Sequence, residues 1–217
     1  MTGNVYTPGL VVGIAGAARS GKGEVAETIR LKCEASGLSC HVGGFADLLK
    51  VSAARSLGFV GTGDEALAWG NSLKDPDVMI RVDREGGTVA SVTGREYLQR
   101  YGQEAHREVF GPDFWIARAL APAAEVDVLV LADVRYENEA GAILAAGGEV
   151  WSVTRPGHEG IAESGHESEA GIPPRLVTRY LVNAGSLREL HLKARLALAT
   201  YRVRASIAAM RKRGVAA

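Results

Sequence analysis

Residues 10–24 read Leu10-Val11-Val12-Gly13-Ile14-Ala15-Gly16-Ala17-Ala18-Arg19-Ser20-Gly21-Lys22-Gly23-Glu24, and they decide the fold. The first six form a short apolar run, the pattern of a strand buried on both faces of a parallel sheet. Gly16 starts the turn after it. From Glu24 to Ser36 the apolar residues Val25, Ile29 and Leu31 recur at helical spacing, and Gly37 stops that helix. Between strand and helix, Gly16 to Lys22 matches the first seven positions of the pattern G-x-x-x-x-G-K-[ST]. Glycines let successive backbone N–H groups converge on one anion, and the helix N-terminus adds partial positive charge. A lysine in the place of Lys22 reaches the outer phosphates of a nucleoside triphosphate. The pattern breaks at its eighth position, where Gly23 stands in place of the hydroxyl that usually meets Mg²⁺. Glu24 and Asp133 are the carboxylates left for the metal, which favours oxygen ligands and keeps several of its waters.

Working outward, Ser39 to Gly43 reads as a second strand and Ala46 to Leu57 as a helix. Gly58 to Gly94 is rich in glycine and mixed charge, with a hairpin signal at Arg84-Glu85-Gly86-Gly87, and is expected to be an insertion with little core. Thr93-Gly94-Arg95-Glu96 fits a capping box whose helix runs to about Glu108. Glu125 to Ala132 is the second clear strand, with Asp133 at its carboxyl end. A helix over Glu137 to Ala146 closes at Gly147-Gly148. Strands follow at Glu149 to Thr154 and Leu176 to Asn183. A second capping box, Ser186-Leu187-Arg188-Glu189, opens a C-terminal helix over about 186–213. Strands alternating with helices at this spacing imply one α/β domain, 1–217, with a mostly parallel sheet covered on both faces.

Composition excludes several classes. The 25 basic and 25 acidic residues balance, so a general polyanion binder is not expected and any phosphate site is local. The basic run from Arg202 to Arg213 reads as a solvated face, with no nucleic-acid partner. No apolar run approaches membrane-spanning length, and the N-terminus lacks the pattern of a secretory leader, so a cytoplasmic location is expected. Cys33 and Cys40 are too few for a disulfide framework and read as free thiols. The loop histidines His158 and His166 read as solvated rather than catalytic or zinc-binding.

An ordered series of segments carries a resemblance: GAARSGK (16–22), ADLLK (46–50), REYLQRYGQE (95–104), FW (114–115), LADVRYENE (131–139), VTRPG (153–157), HESEAGIP (166–173) and VNAGSLREL (182–190). In this order they resemble the bacteriophage-type deoxynucleoside monophosphate kinases, P-loop enzymes related in fold to dephospho-coenzyme A kinase. The resemblance implies a P-loop NTPase-type three-layer sandwich with an inserted lid or monophosphate-binding segment. It implies transfer of the γ-phosphate of ATP, with Mg²⁺, to a deoxynucleoside monophosphate (dNMP), and for a phage-encoded chain the host cytoplasm as its location. It places Gly16, Arg19, Ser20, Gly21, Lys22, Gly23, Glu24 and Arg155 on the ATP side. Arg155 supports the adenine or orders a lid loop. Ala18, Leu49, Lys50, Arg95, Gln99, Gly102, Gln103, Arg107, Trp115 and Glu139 fall to the dNMP. Lys22, Arg19, Asp133 and Arg135 are the catalytic set; the family usually has a small acid and then Thr after the lysine, where this chain has Gly23 and Glu24, so the metal falls to Asp133 and Glu24 as the available carboxylates.

The residues carry part of this by themselves. Arg95, Gln99 and Gln103 recur every four residues and share a helix face, with Gly102 open to close approach of a ligand. Arginine's planar fork suits phosphate oxygens. The plainer alternatives are a solvated helix face for those three, a surface lysine for Lys50, a core aromatic for Trp115, and a helix cap for Asp133. A dNMP phosphate is already anionic near neutral pH, so positioning and charge neutralisation, rather than a strong base, are expected to do most of the work. Two rivals stand beside this expectation. One is a kinase of another small acceptor such as dephospho-coenzyme A; the other is a nucleotide-binding module without catalysis, suggested by Gly23. The long C-terminal helix is free to pack on its own sheet or on a second copy of the chain in a homodimer.

Overall fold

The apolar run at Leu10–Ala15 forms strand β1, and the helix after the glycine loop is α1, Lys22–Glu34. The computed structural model describes residues 9–83, 89–157 and 171–212. Within them the chain divides into two compact units, residues 45–119 and the remainder. The larger unit holds β1, α1, β2 (Cys40–Gly43), β5 (Val128–Val134), α7 (Glu137–Ala145), β6 (Glu149–Thr154), β7 (Arg179–Val182) and the long helix α8 (Leu187–Lys212). Its strands form a five-stranded sheet in the order β2-β5-β1-β6-β7, and each of the four pairings is parallel. The architecture is α/β, a parallel sheet flanked by helices.

Strand alternation explains the two covered faces. Val12 and Ile14 point into a buried cluster with Val25 and Ile29 of α1 and Leu190, Ala194 and Leu198 of α8. The opposite parity faces α7: a Cβ on Gly13 would lie 2.4 Å from Ile143 Cδ1. Glycine at position 13 is therefore what lets α7 lie close to the central strand. The end of α1 follows expectation, with the Gly37 N–H donating to the Glu34 carbonyl and its φ at 68°. At the amino ends of the strands, Trp151 Nε1 donates to Glu149 Oε2 at 2.7 Å, and Arg179 and Arg204 approach the same buried carboxylate at 3.4 and 3.7 Å. Tyr201 Oη donates to the Gly147 carbonyl and accepts from the Val11 N–H, tying α8 to the sheet.

The smaller unit contains α2 (Asp47–Ser56), α3 (Gly63–Ser72), the antiparallel pair β3 (Met79–Asp83) and β4 (Val89–Thr93), α4 (Gly94–Gly102), α5 (Glu108–Phe110) and α6, whose span Phe114–Leu120 ends at the boundary. Residues 58–94 were expected to carry little core, and this is corrected. Ala66 and Leu73 are buried, and Leu73 joins Ala53 and Leu98 in a cluster packed by Leu49, Trp69, Ile80, Tyr97 and Tyr101. Thr62 caps α3 with a complete capping box to Glu65. The turn expected at 84–87 lies outside the described residues, although β3 and β4 pair on either side of it.

Both expected caps receive the N3 backbone N–H, and one differs in its carboxylate. Thr93 Oγ1 accepts from the Glu96 N–H, but the Glu96 carboxylate pairs with Arg100 instead of reaching back. Likewise Ser186 Oγ accepts from the Glu189 N–H at 3.3 Å. The helix expected from 93 to 108 is interrupted: a π-helical turn at Gln103–Arg107 joins α4 to α5. The last strand is shorter than expected, because Pro174–Leu176 forms a 3₁₀ turn before it. Cys33 and Cys40 are free thiols. Among the described residues no helix is long and apolar enough to cross a membrane.

Candidate functional site

The loop from Gly16 to Gly21 leaves the carboxyl end of β1 with unusual backbone angles. Gly16 and Gly21 have φ of 148° and 107°, and Arg19, a non-glycine residue, has φ of 60°. A left-handed Arg costs about 1–2 kcal/mol, so surrounding structure must hold it there. Gly21 caps α1 without a side chain, so no side-chain oxygen takes up the first N–H groups of that helix. Lys22 folds back over the loop and donates through Nζ to the carbonyls of Gly16 at 2.8 Å and Ala17 at 2.7 Å. Burial pushes its ammonium below the ordinary lysine range, the nearby Arg135 charge adds to that, and Asp133 opposes it. Lys22, Arg135 and Asp133 therefore form one electrostatic group.

Ser20 is the loop's anomaly. It is 1% exposed, and its Oγ has no hydrogen-bond partner among the described residues. A Cβ on Gly16 would sit 2.9 Å from that oxygen, so the hydroxyl lies along the loop's own backbone. A buried hydroxyl without a partner is costly.

Asp133 reaches this neighbourhood through an irregularity in the sheet. Between Gly13 and Ala15 the register of β1 on β5 shifts, so that β5 carries one extra residue between Leu131 and Val134. Bulges of this kind re-aim side chains at strand ends. The carboxylate lies against Gly44 just after β2, where a Cβ would meet Asp133 Cγ and both oxygens at 2.7 Å. The cap of α7 is Tyr136, so Asp133 does not serve as the helix cap that stood as its plainer alternative. Glu139, expected at the monophosphate, is 2% exposed, and its Oε2 accepts from the N–H groups of Arg135 at 2.8 Å and Tyr136 at 3.1 Å. The buried carboxylate shapes the turn that carries Arg135.

Glu24 is turned elsewhere. Its carboxylate lies 3.0 Å from Nε2 of His191 on α8. Added atoms at Gly23 would enter open space. Among the described residues no group of three or more His, Cys, Asp or Glu is placed to hold a metal. A metal held mainly by phosphate and water needs fewer protein ligands, and Asp133 beside Lys22 fits that need better than Glu24. Arg155 is exposed just past the end of β6, and Ala18 is exposed on the loop. His158 and His166 lie outside the described residues.

In the smaller unit, Arg95, Gln99 and Gln103 are exposed, as the four-residue spacing predicts, while Leu98 and Gly102 turn inward. Gly102 was expected to admit a ligand, and the structure gives it a different neighbour: a Cβ there would fall 2.2 Å from Leu49 Cδ1. Gly102 lets α2 approach α4, and Leu49 fills the space. Trp115 is 3% exposed and donates through Nε1 to the Gly102 carbonyl at 3.3 Å, so it is a core aromatic rather than a displayed one. Lys50 is buried and paired with Asp47 at 2.8 Å, not a surface lysine. Arg107 sits in the π-helical turn.

Two residues to which sequence reading gave no role shape the site. Gly44 makes room for the Asp133 carboxylate. Asn183, just past β7, donates through Nδ2 to the Ser20 carbonyl at 3.0 Å. Its sequence signal was a polar residue closing the run Tyr180-Leu181-Val182. No protein-family model matches this chain, and no curated protein matches it in sequence.

Proposed function

We propose that this chain is a P-loop phosphotransferase that moves the γ-phosphate of ATP to a deoxynucleoside monophosphate. The observation that carries the reading is the loop itself, with Lys22 folded over Gly16 and Ala17 and with Asp133 and Arg135 within electrostatic reach. The finer fold assignment, a P-loop sandwich, belongs to the same proposal. It is supported by the strand, loop and helix order at the carboxyl edge of a parallel sheet, where ligands of open α/β sheets collect.

In the proposed reaction an oxygen of the acceptor phosphate forms a bond to Pγ, the bond from Pγ to the β–γ bridging oxygen breaks, and ADP leaves. Lys22 releases the two loop carbonyls and binds β- and γ-phosphate oxygens. Arg19 and Arg135 add positive charge. The resemblance assigns the acceptor to Arg95, Gln103 and Arg107, and the four-residue helix spacing adds Gln99. Mg²⁺, when bound, would neutralise phosphate charge, with Asp133 as its protein carboxylate. Because the acceptor is already an anion, the residues named orient and neutralise rather than remove a proton.

The test is release of ADP from ATP and Mg²⁺ with each of the four dNMPs, their ribonucleotide counterparts and dephospho-coenzyme A. Turnover that depends on a dNMP is the expected result. Turnover with dephospho-coenzyme A alone would move the chain to another acceptor. ATP binding without acceptor-dependent ADP would favour a non-catalytic module, the reading that Gly23 suggests.

A further inference from the structure

We infer that Asn183 is a positioning residue that holds the phosphate loop in its anion-binding shape from the far side of β6; this rests on the phosphate-loop reading above. Three contacts meet at this residue, two through its side chain and one through its backbone. Its Nδ2 donates to the Ser20 carbonyl at 3.0 Å, across 163 residues of sequence. Its backbone N–H donates to the Thr154 carbonyl at 2.7 Å, fixing the end of β7 to the end of β6. Its side chain also fills the space beside Gly21, where a Cβ would lie 2.9 Å from Nδ2 and 3.0 Å from Leu190 Cδ2.

The geometry explains why this contact matters. Ser20 lies between Arg19, whose backbone is left-handed, and Gly21, whose φ of 107° suits glycine. A loop in sparsely populated conformations relaxes unless something outside it over-determines its shape. Within the loop, the Ser20 N–H donates to the Ala17 carbonyl at 3.3 Å, while the Ser20 carbonyl points outward to Asn183. Asn183 is 9% exposed, so the bond is shielded from water and breaking it leaves a carbonyl unsatisfied in a buried place. Through this bond the start of α1, and with it Lys22, is referenced to β7 and α8 as well as to β1. The amide acts only through the loop and touches no reacting atom.

The experiment compares the full chain with Asn183→Asp, which keeps the shape but loses the donor, and the neutral Asn183→Ala. Calorimetry with inorganic tripolyphosphate, well below the melting temperature, is combined with amide hydrogen exchange of Ser20 to Gly23. The expected result is that Asn183→Ala stays folded, binds tripolyphosphate about tenfold more weakly, and exchanges those amides faster. A merely structural role for Asn183 would lower the melting temperature and leave the affinity of the folded variant unchanged, which overturns the inference. Equal loop protection in wild type and both variants overturns it as well. If wild type binds neither tripolyphosphate nor ATP, the phosphate-loop reading falls, and faster exchange in the variants would still support the brace. Should neither variant fold, the wild-type Asn183 side-chain amide decides: slow exchange of its protons supports the bond, and free exchange refutes it.

Discussion

Gly102→Ala separates two explanations of one glycine, ligand approach and helix packing. The added methyl falls 2.2 Å from Leu49 Cδ1, while the next atoms, Leu49 Cγ and Cδ2, are 3.4 and 4.0 Å away. One methyl group must therefore yield, and Leu49 is partly buried against Ala53, Leu73 and Leu98. Overpacking of this kind costs about 1–3 kcal/mol. Alanine within a helical run regains about 0.8–1.0 kcal/mol over glycine. A contact of 2.2 Å that one methyl can relieve puts the first term near the middle of its range, about 2 kcal/mol, so a net loss of about 1 kcal/mol follows. In a Leu49→Ala background the clash is gone and only the propensity term remains, so the same substitution should stabilise by about 1 kcal/mol. The swing of about 2 kcal/mol is within the coupling expected of residues in contact. Urea unfolding of the four proteins by tryptophan fluorescence measures it, and Trp115, bonded to the Gly102 carbonyl, reports locally. Equal destabilisation in both backgrounds would show that Leu49 is not what Gly102 accommodates. Unchanged stability with loss of nucleotide binding would restore the ligand explanation.

Ser20→Ala should stabilise the chain by about 1 kcal/mol, because it removes a buried hydroxyl that has no partner among the described residues; a melting temperature that falls would contradict this. Lys22→Met should reduce dNMP-dependent turnover by about a hundredfold or more, read as ADP release. Burial and Arg135 hold the folded-state pKa of Lys22 below its unfolded value of about 10.4, so the unfolded chain binds more protons between the two, and stability from this group rises with pH across that alkaline window; Lys22→Met should flatten that rise. Asp127 has its carboxyl held low by hydrogen bonds from Ser39. Its contribution is present above its unfolded value and lost as pH falls through the folded one, so Ser39→Ala should make acid unfolding begin at higher pH. Glu149→Ala removes the buried carboxylate shared by Trp151, Arg179 and Arg204, leaves Arg179 with an uncompensated charge, and should cost about 3–5 kcal/mol in urea unfolding.

The parallel sheet was legible because its central strands β1 and β5 are short apolar runs bounded by glycine or polar residues, a signal set by burial on both faces. The loop was legible because glycine at 16 and 21 and lysine at 22 answer a local backbone demand. What stayed hidden depends on distant neighbours. The glycines at 58, 61 and 63 carry a loop signal that competes with the capping box of Thr62 and Glu65, and the burial of Leu73 arises from packing by Leu98 of α4. The π-helical turn at Gln103–Arg107 has no counterpart in the apolar spacing, which reads as one continuous helix. Gly102, Trp115 and Glu139 are residue types that serve ligands and cores alike. Only the identity of the neighbour, Leu49, a backbone carbonyl or a backbone N–H pair, tells which.

The departure at Gly23 also looks different once the loop's supports are known. A missing hydroxyl at the eighth motif position removes one metal ligand, yet positive charge at the loop remains. Lys22 is held below its ordinary pKa by burial, with Arg135 adding to it, and Arg19 keeps a left-handed backbone. The like-charge repulsion is a cost that a bound polyanion relieves. A loop whose glycines only packed a strand against a helix would have no need of such a cluster in a chain with zero formal net charge. The expected consequence is a melting temperature that rises with tripolyphosphate concentration and ceases to respond in Lys22→Met. Equal responses in the two proteins would mean that the anion binds somewhere other than this loop.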